Sequence, residues 1–92
     1  MVTNINLHRN MPFEEIDNLP ISWPDHEDIA MALYERFGSE FDESKIYRIR
    51  FTDLVEWILE IPNFSGKRED CTESHLEQIQ ARWVYEHRDN QA

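Results

Sequence analysis

Carboxylates dominate the residues here that can do chemistry. There are 19 Asp and Glu against 9 Lys and Arg, for a formal net charge of −10 over 92 residues. Carboxylate oxygens are hard donors suited to ferrous or ferric iron, and exposed in numbers they also meet arginines of a basic partner. Asp53, Glu56 and Glu60 fall at i, i+3 and i+7, so a helix there would carry all three on one face. Asp28 and Glu35 repeat the i, i+7 spacing, with Asp25 just before them. No His or Cys stands one helical turn from these acids, so a metal held by them would be weakly bound and exposed. A solvated helix face that merely confers solubility has the same pattern.

Catalytic chemistry finds little support. The histidines His8, His26, His75 and His87 form no His-Glu-x-x-His motif and pair with no nucleophile motif. Gly38 and Gly66 are the only glycines, too few for a phosphate-cradling loop. The lone cysteine, Cys71, makes neither an internal disulfide nor a CxxC metal site. Its place beside a predicted helix start could lower a thiol pKa, but a simple cap-region role is the favoured reading. The reading is of a protein that is not an enzyme.

The elements that must position these acids are helices. Asp25 predicts a helix start as N-cap, with Asp28 as a capping-box partner and an apolar stripe of Ile29, Leu33 and Phe37. Gly38 stops it as a C′ residue, and Trp23 ahead of the cap can fold back as a staple. Phe41–Ile46 reads as one polar turn. Tyr47–Phe51 alternates apolar and basic residues, which suits a short strand or a linker with Tyr47, Ile49 and Phe51 inward. A second main helix starts at Thr52 or Asp53, with Asp53 and Glu56 as a capping pair, and Pro62 closes it. Phe64 in the following loop reads as a buried plug. Thr72 caps a last helix that runs toward Arg88 with Leu76, Ile79 and Trp83 inward. The expected fold is all-α: a small helix-turn-helix-like globule of three main helices plus a short one.

Residues 1–21 read as a partly ordered arm and residues 22–92 as the domain. The arm has no signal-peptide apolar core, and its Glu14, Glu15 and Asp17 are wrong for a transit peptide. No run approaches a membrane span, so a cytoplasmic protein with no membrane contact is expected. Nucleic acid is excluded by charge. A recognition helix over 52–61 would carry Asp53, Glu56 and Glu60 with no cation. One over 72–88 would set two arginines against Glu73, Glu77 and Glu86, with Asp89 next to them, so neither face can neutralise phosphates.

Three ordered blocks carry a more specific signal. They are Trp23-x-Asp25-x-x-Asp28-Ile29-Ala30-x-x-Leu33-Tyr34, then Arg50-Phe51-Thr52-Asp53-Leu54-x-x-Trp57, then Glu73-x-x-Leu76-Glu77-x-Ile79-Gln80-x-x-Trp83-x-x-Glu86. Over residues 21–86 the chain resembles the IscX family, small acidic accessory proteins of iron–sulfur cluster assembly. The resemblance implies a winged-helix-like fold and a regulatory role without catalysis. It implies docking of an acidic surface on the cysteine desulfurase IscS, in competition with frataxin and ferredoxin, and weak binding of iron. Carried onto this chain, the docking face would use Asp25, Asp28, Glu35, Asp53, Glu56, Glu73 and Glu77, and iron would use Asp25, Asp28, Asp53 and Glu56. An alternative within the resemblance makes the metal primary, the protein being an iron carrier or adaptor. Two departures stand out. Phe64 is followed by Ser65-Gly66-Lys67-Arg68 where the family usually has acids, and the N-terminal arm has no counterpart in typical members.

Overall fold

Side-chain size and caps set where each helix begins and ends. The computed structural model describes residues 19–91. Most of the expected arm therefore lies outside the described residues, but its last part is held. Asn63 Nδ2 donates to the Leu19 carbonyl at 2.6 Å, Ile21 N–H to the Asn63 carbonyl at 3.0 Å, and Ser65 N–H to the Ile21 carbonyl at 2.8 Å. These bonds make an isolated parallel bridge between Ile21 and Phe64, and the described residues contain no longer strand.

Four α-helices follow: α1 (His26–Phe37), α2 (Glu43–Arg48), α3 (Phe51–Leu59) and α4 (Glu73–Asp89). Short 3-10 turns cover Gly38–Glu40 and Arg68–Asp70. The stripe of α1 packs as its spacing requires: Ile29, Ala30 and Leu33 are fully buried. Gly38 ends the helix at φ 57°, in the left-handed region where a Cβ is unfavourable. Asp25 occupies the N-cap position but does not cap the helix. Its carboxylate turns back instead and accepts the Ser22 N–H at 2.8 Å.

The segment after α1 departs from expectation. Asp42 accepts the Lys45 N–H at 2.9 Å and starts a helix that continues to Arg48, with Ile46 fully buried beneath it. The strand reading of Tyr47–Phe51 is thereby overturned. Only Ile49 and Arg50 are extended, Phe51 already belongs to α3, and Tyr47 points outward at 56% exposure. A local cap and one buried isoleucine outweigh the alternation of apolar and basic residues. The capping pair expected of Asp53 and Glu56 is also absent: α3 starts after Arg50 without a side-chain cap, and Glu56 bonds elsewhere. At α4 the expectation holds, since Thr72 Oγ1 accepts the His75 N–H at 3.2 Å.

Helices α1 and α4 form the main packed pair, with α2 and α3 laid against them. Leu76, Ile79, Trp83 and Val84 of α4 meet Ile29 and Leu33 of α1, Leu54 and Ile58 of α3, and Ile46 of α2 in one core. Aromatic rings close one end of it: Phe37 lies 4.8 Å from Trp57 and 5.9 Å from Trp83, and Phe41 lies 5.6 Å from Trp83. Gln80, the one buried polar side chain of the described core, donates to the Ile46 carbonyl at 3.1 Å and so ties α4 to α2. Trp23 is 3% exposed, as its position before α1 suggested. Its indole N–H donates to the Lys67 carbonyl at 2.7 Å and its ring meets Phe64 edge-on at 4.8 Å. Phe64 is thus half-buried, and together the two rings fix the loop after α3.

Candidate functional site

Carboxylates reach the surface because the apolar stripes of α1 and α4 turn inward and leave the acidic positions outside. A broad open groove runs along α1 to the segment after α3 and the C-terminal end of α4. Asp28, Glu35, Glu60 and Glu86 line it, together with Met31, Ile61 and Asn63. Two of the expected docking residues, Asp28 and Glu35, therefore share this groove. Arg36 also lines it and offsets one acid, its Nη1 lying 2.6 Å from Glu60 Oε1 across α1 and α3. Met31 stands 49% exposed between them, an apolar spot in an acidic rim.

Glu86 is the groove residue that the sequence pattern did not single out as part of a docking face. Partial burial raises its carboxyl above the usual range, and the neighbouring charges of Asp89 and Glu27 push it the same way. That proximity brings Glu27 of α1 and Asp89 at the end of α4 into the same acidic neighbourhood. The only hint in sequence was that all three are acids on helices able to pack together.

The remaining expected residues lie in other surroundings. Asp25 spends one carboxylate oxygen on Ser22. Asp53 lines a separate small cleft among Lys45, Arg48 and Arg50. Glu56 is held by Arg68, whose guanidinium keeps that carboxyl below its usual range. Arg68, at a position where the resemblance implied acids, thus neutralises one of the residues expected to serve docking and iron. Glu73 and Glu77 are exposed on the first turns of α4. Among the described residues, no three His, Cys, Asp or Glu side chains gather as a metal ion would need.

Groups able to act as nucleophile or base are engaged in packing. Cys71 is half-buried, and burial pushes its thiol up rather than down, against the activation that a helix start could have given. His26, the first residue of α1, meets His75 of α4 with Nε2 and Nδ1 2.8 Å apart. The described residues contain no helix long and apolar enough to cross a membrane.

An uncharacterized protein of Pseudomonas aeruginosa is 37% identical over 68 residues, which cover 74% of this chain and 97% of that relative. No solved structure matches the chain. The family model described as iron-sulphur cluster assembly matches residues 21–88, which take in α1 to α3, all of α4 but its last residue, and the Ile21–Phe64 bridge. The chain thus belongs to the iron–sulphur cluster assembly family, the one that the three tryptophan-centred blocks resemble.

Proposed function

We propose that this protein is a non-catalytic accessory of iron–sulfur cluster assembly that docks by its acidic groove on the cysteine desulfurase IscS. The observation that carries the reading is the groove itself: the carboxylates Asp28, Glu35 and Glu86, with Glu60 paired to Arg36, around an exposed methionine, on a member of a cluster-assembly family. A desulfurase that presents arginines would be steered to this face by the net charge of −10 and held there by ion pairs at short range. Occupying that basic surface would modulate sulfur delivery and exclude other acidic partners such as frataxin and ferredoxin. In the same reading the four helices belong to a small helix-turn-helix-like globule of the winged-helix kind.

Iron enters this reading as cargo. With no three-donor cluster among the described residues, an ion on Asp25, Asp28, Asp53 or Glu56 would rest on one or two carboxylates and water. The donor set suits loose surface binding, and docking is therefore the primary role and carriage the alternative.

The groove is tested by charge removal at constant shape. Asp28→Asn, Glu35→Gln and Glu86→Gln together should weaken binding to the desulfurase at least about tenfold, since each lost charge pair is worth on the order of 0.5–1 kcal/mol. Glu73→Gln with Glu77→Gln should cost less. Equal losses for the two sets, measured by calorimetry, would remove the groove from the docking face.

A further inference from the structure

The acidity of the chain hides one region of opposite sign. Positions 44–52 contain no acid, and three of the 9 cations, Lys45, Arg48 and Arg50, lie within them. The fold concentrates this run. All three side chains line one cleft of about 320 Å³, floored by Phe41, Ile49 and Trp57 and bordered by Asp53. The floor residues are half-buried against the core, with Phe41 and Trp57 rings 5.7 Å apart. The ion pairs among the described residues use Arg36, Arg68 and Arg88 and leave these three cations without a carboxylate partner. The extended pair Ile49–Arg50 between α2 and α3 fans Arg48 and Arg50 out from consecutive elements instead of stacking them along one helix.

We propose that this cleft is a docking site for an acidic peptide segment of a partner protein. An apolar or aromatic side chain of that segment sits on Phe41, Ile49 and Trp57, and its flanking carboxylates meet Lys45, Arg48 and Arg50. Charge complementarity selects the occupant. Guanidinium groups pair with carboxylates in two-pronged geometry, and a half-buried aromatic floor gains from covering an apolar anchor. A phosphate-rich ligand fits worse, because Asp53 borders the same cleft and the net charge of −10 repels a polyanion as a whole. A short peptide brings only two or three charges, and Asp53 can accept one of its backbone N–H groups. The protein would then carry two faces of opposite sign, an acidic groove beside α1 and a basic cleft between α2 and α3, as an adaptor between two partners needs. This cleft shares none of the groove carboxylates, so its test stands apart from docking on the desulfurase.

The test is fluorescence polarisation with the full chain and a labelled, end-blocked peptide Glu-Asp-Phe-Glu, which carries three charges. Changing Lys45→Glu, Arg48→Glu and Arg50→Glu together should weaken binding at least about tenfold, and Arg48→Glu alone about threefold. A control with Lys67→Glu and Arg82→Glu, cations outside the cleft, should bind as the native chain does. Replacing the peptide phenylalanine by alanine should weaken binding at least about fivefold. Undiminished binding to the triple and single variants would overturn the proposal, as would equal affinity for the peptide lacking its anchor. Displacement of the peptide by millimolar inorganic phosphate would reassign the cleft to phosphate ligands. Self-association abolished by the triple change would reassign it to a second copy.

Discussion

At the scale of single residues, the loop after α3 is fixed by contacts that leave no room for another atom. A Cβ on Gly66 would lie 2.6 Å from the Phe64 ring and 2.9 Å from the Trp23 indole nitrogen, which itself bonds the Lys67 carbonyl. Gly66→Ala should therefore destabilise the fold by about 1–3 kcal/mol, because both rings are committed to the core and neither can give way cheaply. A lowered urea midpoint at unchanged slope would record this. Gly38→Ala meets nothing within 4 Å but must adopt φ 57° with ψ −131°, a combination that glycine alone takes readily, so its cost should be about 1–3 kcal/mol and purely conformational. The Thr72 cap predicts about 1 kcal/mol lost in Thr72→Ala through the unmade bond to the His75 N–H. If Gly66→Ala proved the mildest of the three, the tight Trp23–Phe64–Gly66 contact would be wrong.

Among elements, the contact of α1 with α4 decides both stability and its response to pH. His26 and His75 share one hydrogen bond at the N-terminal ends of these helices, and two imidazolium rings could not keep it. Burial lowers the His26 pKa below its ordinary 6.5, with the positive charges of His75 and Arg82 acting in the same sense and Asp25 opposing them. The unfolded chain thus takes up the proton first. Stability from this group is complete above pH 6.5 and is lost as the pH falls below it toward the folded value. Glu86 works in the opposite sense. Its raised pKa favours the protonated folded form, so it recovers stability as the pH falls through its elevated value toward 4.5. Thermal melts of the native chain should show a decline just below pH 6.5 that His26→Gln flattens; an unchanged slope in that variant would refute the shared-proton pair.

These elements also show what the linear chain made legible. The stripe Ile29–Leu33–Phe37, the Gly38 stop and the Thr72 cap are local signals, read within a few residues, and each stands where it was expected. The full length of α2 was missed because it depends on burying Ile46 beneath Gln80, 34 residues away. The neutralisation of Glu56 by Arg68 and of Glu60 by Arg36 was hidden for the same reason: spacing along a helix places acids on one face but does not reveal which cations the fold brings across to them.

For the whole molecule, charge is divided between two separate surfaces: the carboxylates of the α1 groove, and the cleft between α2 and α3, whose cations have no carboxylate partner among the described residues. A net charge of −10 makes encounter with a basic surface fast at low ionic strength and slower once the Debye length shrinks below the separation of the charges. Docking driven by this charge should therefore need no metal. The most direct measurement is a calorimetric titration of the native chain into the cognate cysteine desulfurase at low and high salt, with and without ferrous iron. Binding is expected at low salt without iron, weakened at least about tenfold by a rise from about 50 to about 500 mM salt, and little changed by the metal. Absence of binding at low salt in the presence and absence of iron would contradict it, and binding that required iron would return the primary role to metal carriage.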